Sequence, residues 1–210
     1  MWPDAPQTEE LLNRVRDGDG EAINQLLDRH REALRRLVAQ RMDPVLRRRV
    51  DASDIVQDVM VEANRRLKNY LNDPVMPFHL WLRHMAKDRL IDAHRRHRVA
   101  KRRSLDREQP LVAAGPPDRS TVELAGQLCD PELTPAAAAA WQETLRRFQA
   151  AVENLDETDR EVVLMRHFEK LSNQEIAQAL DISGAAASMR YLRAVRRLRS
   201  LLGESACDSE

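Results

Sequence analysis

Between Glu21 and Arg41 the residues Ile23, Leu26, Leu27, His30, Leu34, Leu37 and Val38 fall at three- and four-residue steps. That spacing lays one apolar stripe along a helix. The period returns at Ile55, Val59, Ala63 and Leu67, and again at Phe78, Leu82, Met85, Ala86, Leu90 and Ala93. Near the C-terminus it returns at Leu145, Phe148 and Val152. Aromatics at 4% and charged residues at 32% are also a composition of helix rather than sheet. An all-α chain is expected.

Helix ends are written in the sequence as plainly as helix faces. A short helix over Thr8 to Arg16 stops at Asp17-Gly18-Asp19-Gly20, and Asp43-Pro44 breaks the helix from Glu21. Asp51 can cap the next helix, with Asp54 in its first turn. The connection NDPVMP leads to a helix from Phe78 to Arg98. Ser104 to Thr134 then carries four of the ten prolines and reads as a linker. From Pro135 helical pattern resumes. A helix over Ala136 to Asn154 precedes DETDREVVLMRHF, capped by Asp156, and SNQEIAQAL, with Ser172 and Glu175 forming a capping box. A tight Asp181-Ile182-Ser183 turn leads to a last helix over Gly184 to Leu202. Two small domains are expected, 1–103 and 135–204, joined by a linker over 104–134 and followed by a tail at 205–210.

The net charge of zero is unevenly distributed. Leu82 to Arg103 holds nine Lys/Arg against Asp88 and Asp92, a net of +7, and Arg190 to Arg199 holds five arginines and no acid. The first thirty residues carry seven acids against three arginines, a net of −4. Two separate basic helices suggest two contacts on one polyanion. Against this stands the plainer reading of two solvated helix faces.

Several function classes find no support. No run approaches the roughly 18 apolar residues of a membrane span, and the acidic, polar N-terminus is not a signal peptide. Cys129 and Cys207 lack metal-ligand spacing and suit a reduced, cytoplasmic chain. No acid or cysteine completes a metal set around His84, His94 and His97, and His30 reads as a core histidine. Without a phosphate-binding glycine loop or a nucleophile motif, neither catalysis nor a cofactor is expected.

What remains is two helices of opposite character followed by a helix-turn-helix. On the first, Asp54, Gln57, Asp58, Val61 and Glu62 share the outward side, a contact surface unless the acids serve only capping and solubility. On the second, His84, Lys87, Asp88, Ile91 and Arg95 share one side. Arg89 lies inside the apolar arc, where it must snorkel or pair with Asp92. The third motif is a helix of about nine residues, a three-residue turn and a basic amphipathic helix. Small Ala177 allows close approach there.

These stretches resemble the extracytoplasmic-function group of bacterial sigma factors, in the sigma-70 family. DASDIVQDV at 51–59 is similar to the acidic helix that docks on the polymerase clamp helices. FHLWLRHMAKDRLIDAHRR at 78–96 resembles the helix that melts and reads the −10 element. LSNQEIAQALDISGAAASMRYLRAVRRLRSLL at 171–202 resembles the helix-turn-helix that reads the −35 element. The resemblance implies an all-α fold: a region 2 bundle, a flexible linker and a region 4 domain. Asp51, Asp54, Gln57, Asp58 and Glu62 would then bind core RNA polymerase. Asn72, Asp73, Trp81, His84, Lys87, Asp88, Arg95 and Arg96 would meet −10 DNA. Arg166, Ser172, Asn173, Ser183, Ser188, Met189, Arg190, Arg193 and Arg197 would meet −35 DNA. The implied partners are core polymerase and promoter DNA, with an anti-sigma protein as a further candidate and a monomer as the free state. The chain departs from the family pattern at Asp88, where Asn is frequent, at Asp181 in place of a turn glycine, and at Ala185 to Ser188. A stand-alone helix-turn-helix regulator would explain 156–202 and leave 51–103 unexplained. An all-helical adaptor for acidic proteins is the third reading.

Overall fold

A computed structural model describes residues 2–42, 44–103 and 146–207, with side chains placed for 2–42, 46–96 and 146–201. Residues cluster into two compact units, Met1–Ala114 and Gly115–Glu210. The expected linker, Trp141 and Leu145 fall outside what is described, as does the side chain of Leu202.

In the first unit three helices begin where a carboxylate satisfies free N–H groups of the first turn. Asp4 caps α1 (Ala5–Arg16) by accepting from the Gln7 N–H at 3.1 Å. Gly18, at φ +90°, turns the chain into Asp19. Asp19 caps α2 (Gly20–Arg41) through the Glu21 and Ala22 N–H groups, and it also holds Arg14 at 2.6 Å. A short α3 (Pro44–Arg47) precedes α4 (Ala52–Asn72), capped by Asp51 through the Ser53 N–H at 2.7 Å. The basic helix α5 runs over Phe78–Arg103, five residues beyond its expected end.

One core joins α2, α4 and α5, with α1 packed on α2. It contains the expected stripes: Leu26, Leu34 and Val38 from α2, Ile55, Val59, Ala63 and Leu67 from α4, and Phe78, Leu82, Met85 and Leu90 from α5. Ile23, expected inside the α2 stripe, is only partly buried and packs at the core's margin. His30 is buried, and its Nδ1–H donates to the Leu26 carbonyl at 2.8 Å. The His30 ring meets Phe78 edge-on at 5.1 Å and Trp2 at 6.3 Å.

Burial pushes the His30 pKa down from 6.5 to about 4, with His79 and Arg29 adding to the shift and the carbonyl partner opposing it. Between those values the unfolded chain binds a proton that the folded one refuses, so stability falls as pH drops from 6.5 toward 4. The slope approaches about 1.4 kcal/mol per pH unit. Protection factors of the α2 core amides, taken relative to intrinsic exchange at each pH, should fall across that window, and His30→Leu should flatten the response in α2. An unchanged slope in that variant would remove His30 as the cause.

The second unit opens on helical residues 146–153 (α6), followed by α7 (Glu157–Val163), a π-helical segment Leu164–Phe168, α8 (Asn173–Leu180) and α9 (Gly184–Cys207). Its core is Phe148, Ala151, Val152, Leu155, Val163, Ala194 and Leu198. The sequence pattern reads 157–168 as one regular helix. The structure instead widens its last turn, where the Glu169 N–H reaches the Leu164 carbonyl and the Leu171 N–H the Met165 carbonyl. The extra residue is absorbed as a π-turn, which apolar periodicity does not register.

Candidate functional site

The outward side of α4 carries Asp54, Gln57 and Asp58, all exposed, beside Val61 at 47% exposure. Ile55, Val59, Ala63 and Leu67 bury the opposite face, so helix geometry leaves the acids, the amide and one valine on a single solvent stripe. Asp51 stands at its N-terminal end. The hydrogen bonds from Ser53 hold its carboxyl below the usual range, with Arg35 adding to the effect.

Glu62 was expected on this same stripe and is mostly withdrawn from it. It meets Arg66 at 2.5 Å and reaches Arg89 of α5 at 3.4 Å. Arg89 therefore pairs across helices, a solution that neither snorkelling nor the i,i+3 pairing with Asp92 anticipates. A contact between α4 and α5 has no signature in the spacing of α5 alone.

On α5 the aromatic Trp81 is half-buried, set 4.7 Å from Tyr70 and 5.5 Å from Phe78. The Tyr70 hydroxyl donates to the Met76 carbonyl at 2.9 Å and ties down the α4–α5 connection. Asn72 and Asp73 are exposed at its start, and Val75 is exposed near its middle. Half-buried His84 and exposed Lys87, Asp88 and Arg95 continue along the helix from Trp81, with Arg96 exposed beside Arg95. From Trp81 to Arg95 that path is about 21 Å long. Arg83 departs from the simple picture of a basic helix. It is 1% exposed, the largest fully buried side chain described, so the count of nine cations overstates the charge facing solvent.

In the second unit the turn between α8 and α9 is built by capping. Ser172 and Glu175 form the expected capping box, and Asp181 ends α8 in the left-handed region at φ 53°. Asp tolerates that region better than most residues, so it can stand where a glycine is usual. The Ile182 N–H closes the turn on the Ala177 carbonyl at 3.0 Å. Ser183 starts α9 by accepting from the Ala186 N–H.

Several residues expected at DNA are thus committed within the fold. Asn173 donates to Ser188 Oγ at 2.5 Å, and Ser188 donates to the Gly184 carbonyl, joining the start of α8 to α9. Arg193 Nε and Nη2 both bond the Asp159 carboxylate, at 2.9 and 2.6 Å. Arg166 donates to the Leu171 carbonyl, although its side chain is otherwise exposed. Met189 at 63% and Arg197 are exposed, and Arg190 is half-buried. The Asp159 contact was missed because its partner is 34 residues away. Only the helical phase of Arg193 could have hinted at it. Beside these, His167 stacks on Tyr191, and burial, with Lys170 and Arg166 nearby, lowers its pKa to about 4.

Among the described residues no group of three or more His, Cys, Asp or Glu is placed to hold a metal. The described surfaces comprise an acidic stripe, an aromatic-backed cationic path and a helix-turn-helix.

Comparison with known proteins agrees. Residues 26–100 match Sigma-70 region 2, and residues 145–198 match Sigma-70, region 4. The chain belongs to the sigma-70 family. Its curated relatives include the sigma factor CnrH of Cupriavidus metallidurans, 29% identical over 192 residues, covering 91% of this chain and 92% of that one. CarQ of Myxococcus xanthus is 29% identical over 195 residues, covering 92% and 96%. The ECF sigma-E factor of Escherichia coli is 26% identical over 185 residues, covering 88% of each. The solved structure of CnrH in complex with the cytosolic domain of CnrY superposes with a TM-score of 0.56 at 24% identity, covering 92% of this chain and 96% of that one, a likeness of fold. Within its family the chain is an extracytoplasmic-function sigma factor, an alternative sigma factor that directs RNA polymerase in transcription initiation.

Proposed function

We propose that the two faces of the first unit divide the work of initiation. Asp51, Asp54, Gln57 and Asp58, with Val61 among them, meet basic residues of core polymerase. Trp81, His84, Lys87, Arg95 and Arg96 line the opened −10 strand, with Asn72 and Asp73 at the loop that receives an unstacked base. Strand opening needs flat side chains to hold unstacked bases, each worth roughly 1–3 kcal/mol, beside cations that follow phosphates. One observation carries this reading: an acidic stripe and an aromatic-backed cationic path stand on successive helices of one core. Asp88 is exposed on that path, and nothing in the structure explains its charge there.

In the second unit Ser183, Ser188, Met189, Arg190, Arg193 and Arg197 lie on or beside the helix proposed to enter the major groove. Arg166, Ser172 and Asn173 flank it where phosphates would pass. The domains at 1–103 and 135–204 would reach the two promoter elements through the linker at 104–134. Action in the cytoplasm follows from this role; among the described residues no helix is long and apolar enough to cross a membrane. An anti-sigma protein covering the polymerase face is the remaining partner proposed. CnrH, seen with the cytosolic domain of CnrY, has a protein partner of its own.

Mixing the chain with core polymerase should yield a complex that initiates from a two-element promoter and not from an unrelated template. If it neither co-purifies with core nor supports initiation, yet binds duplex DNA tightly, the stand-alone regulator replaces this reading.

A further inference from the structure

The Asp159–Arg193 pair is placed too specifically to serve only as a staple. Asp159 is 3% exposed on α7, while the Arg193 side chain with which it pairs is 61% exposed on α9. The buried partner is fixed and the cation at its end projects into solvent. Both carboxylate oxygens are used: Nε meets Oδ2 at 2.9 Å and Oδ1 at 3.2 Å, and Nη2 meets Oδ1 at 2.6 Å. A guanidinium has five N–H donors in a rigid fork. With the Nε side taken, Nη1 and the outer hydrogen of Nη2 remain, a parallel pair at the free end. That end-on pair matches the O6 and N7 acceptors of guanine in the major groove.

We propose that Asp159 is a positioning residue for DNA reading, aiming Arg193 at a single guanine of the upstream promoter element. The inference rests on the proposed −35 role of α9 and adds to it a residue outside the helix-turn-helix. Pairing also changes what the arginine contributes. An unpaired cation attracts every phosphate and gives grip without sequence information. With the carboxylate bound, the net charge of the pair is zero and its remaining donors point one way. The pair gives selectivity rather than general affinity.

The test uses polymerase reconstituted from core and the full chain, with promoter use measured as each base pair of the upstream element is replaced in turn. Wild type, Asp159→Asn and Arg193→Gln are compared. Asn keeps the size of Asp159 but removes its charge and one of its acceptors. Wild type should discriminate at one base pair by about 5- to 150-fold, the range of a bidentate contact. Both variants should lose that discrimination at the same base pair and keep preferences elsewhere. Asp159→Asn should also steepen the salt dependence of promoter binding by up to about one unit, because it frees a cation. A purely structural pair would leave the base-specific discrimination unmoved, whatever the salt dependence does. The proposal is overturned if Asp159→Asn lowers promoter use evenly at all positions, or if the variants flatten different positions. Should Asp159→Asn fail to fold, Arg193→Gln decides alone, and unaltered discrimination refutes the assignment. Failure of the wild-type chain to initiate would remove the −35 reading itself, whereas failure confined to the variants' pattern removes only this inference.

Discussion

The double substitution Asp54→Arg with Gln57→Ala should abolish stable association with core polymerase, weakening it by at least about 100-fold, or roughly 3 kcal/mol. Both residues are exposed on α4, clear of the packed Ile55 and Val59. Reversing Asp54 places like charges together at the proposed interface, which costs several kcal/mol. Within the fold the same change only loses a favourable acid in the first helical turn, about 0.3–1 kcal/mol. The interface effect should therefore dominate. Co-purification with core and a thermal melt of the free variant measure the two separately. Undiminished binding in a folded variant would return α4 to a structural role.

Phe148→Ala should unfold the second unit and leave the first intact. Phe148 is fully buried in a core whose other members include two alanines, so much of that core's apolar volume is its ring. Removing a buried Phe costs about 3–5 kcal/mol, against whole-domain stabilities that begin near 5 kcal/mol. A unit this small is near that lower end. Amides of α8 and α9 should lose protection against hydrogen exchange, while those of α2 and α4 keep it. Promoter recognition should fail with core binding retained. Equal acceleration in both units would show that their cores are not independent.

The residues that were legible from sequence are those whose partners lie close along the chain. Asp51, Ser172 and Glu175 satisfy N–H groups two or three positions away, so their roles follow from local chemistry. The buried faces of α2, α4 and α5 follow from period alone, and His30 takes its place among them. Even Asp181 in the left-handed region could be anticipated from its position in the turn. What stayed hidden was settled between distant elements. Glu62 is drawn off the acidic stripe by Arg89, and Arg193 is engaged by Asp159. Ser188 and Asn173 meet each other across the turn. In each case the side chain sits on the expected helix, but a contact outside that helix decides what it does. Arg83 shows this most sharply, since nothing in WLRHMAKD distinguishes a buried arginine from a solvated one.

The π-turn at Leu164–Phe168 bears on how lineages of such chains are to be aligned. Deleting one residue there would convert the wide turn to an ordinary one, and because the wide turn absorbs that residue, the chain on either side would keep its direction. A relative lacking that residue would show a one-position gap that scores as a trivial loop deletion. Its descendants would present the start of α8 to the same surroundings, and only side chains within the turn, Arg166 among them, would change register. The gap would mark a residue gained or lost inside a helix with the binding geometry beyond it preserved.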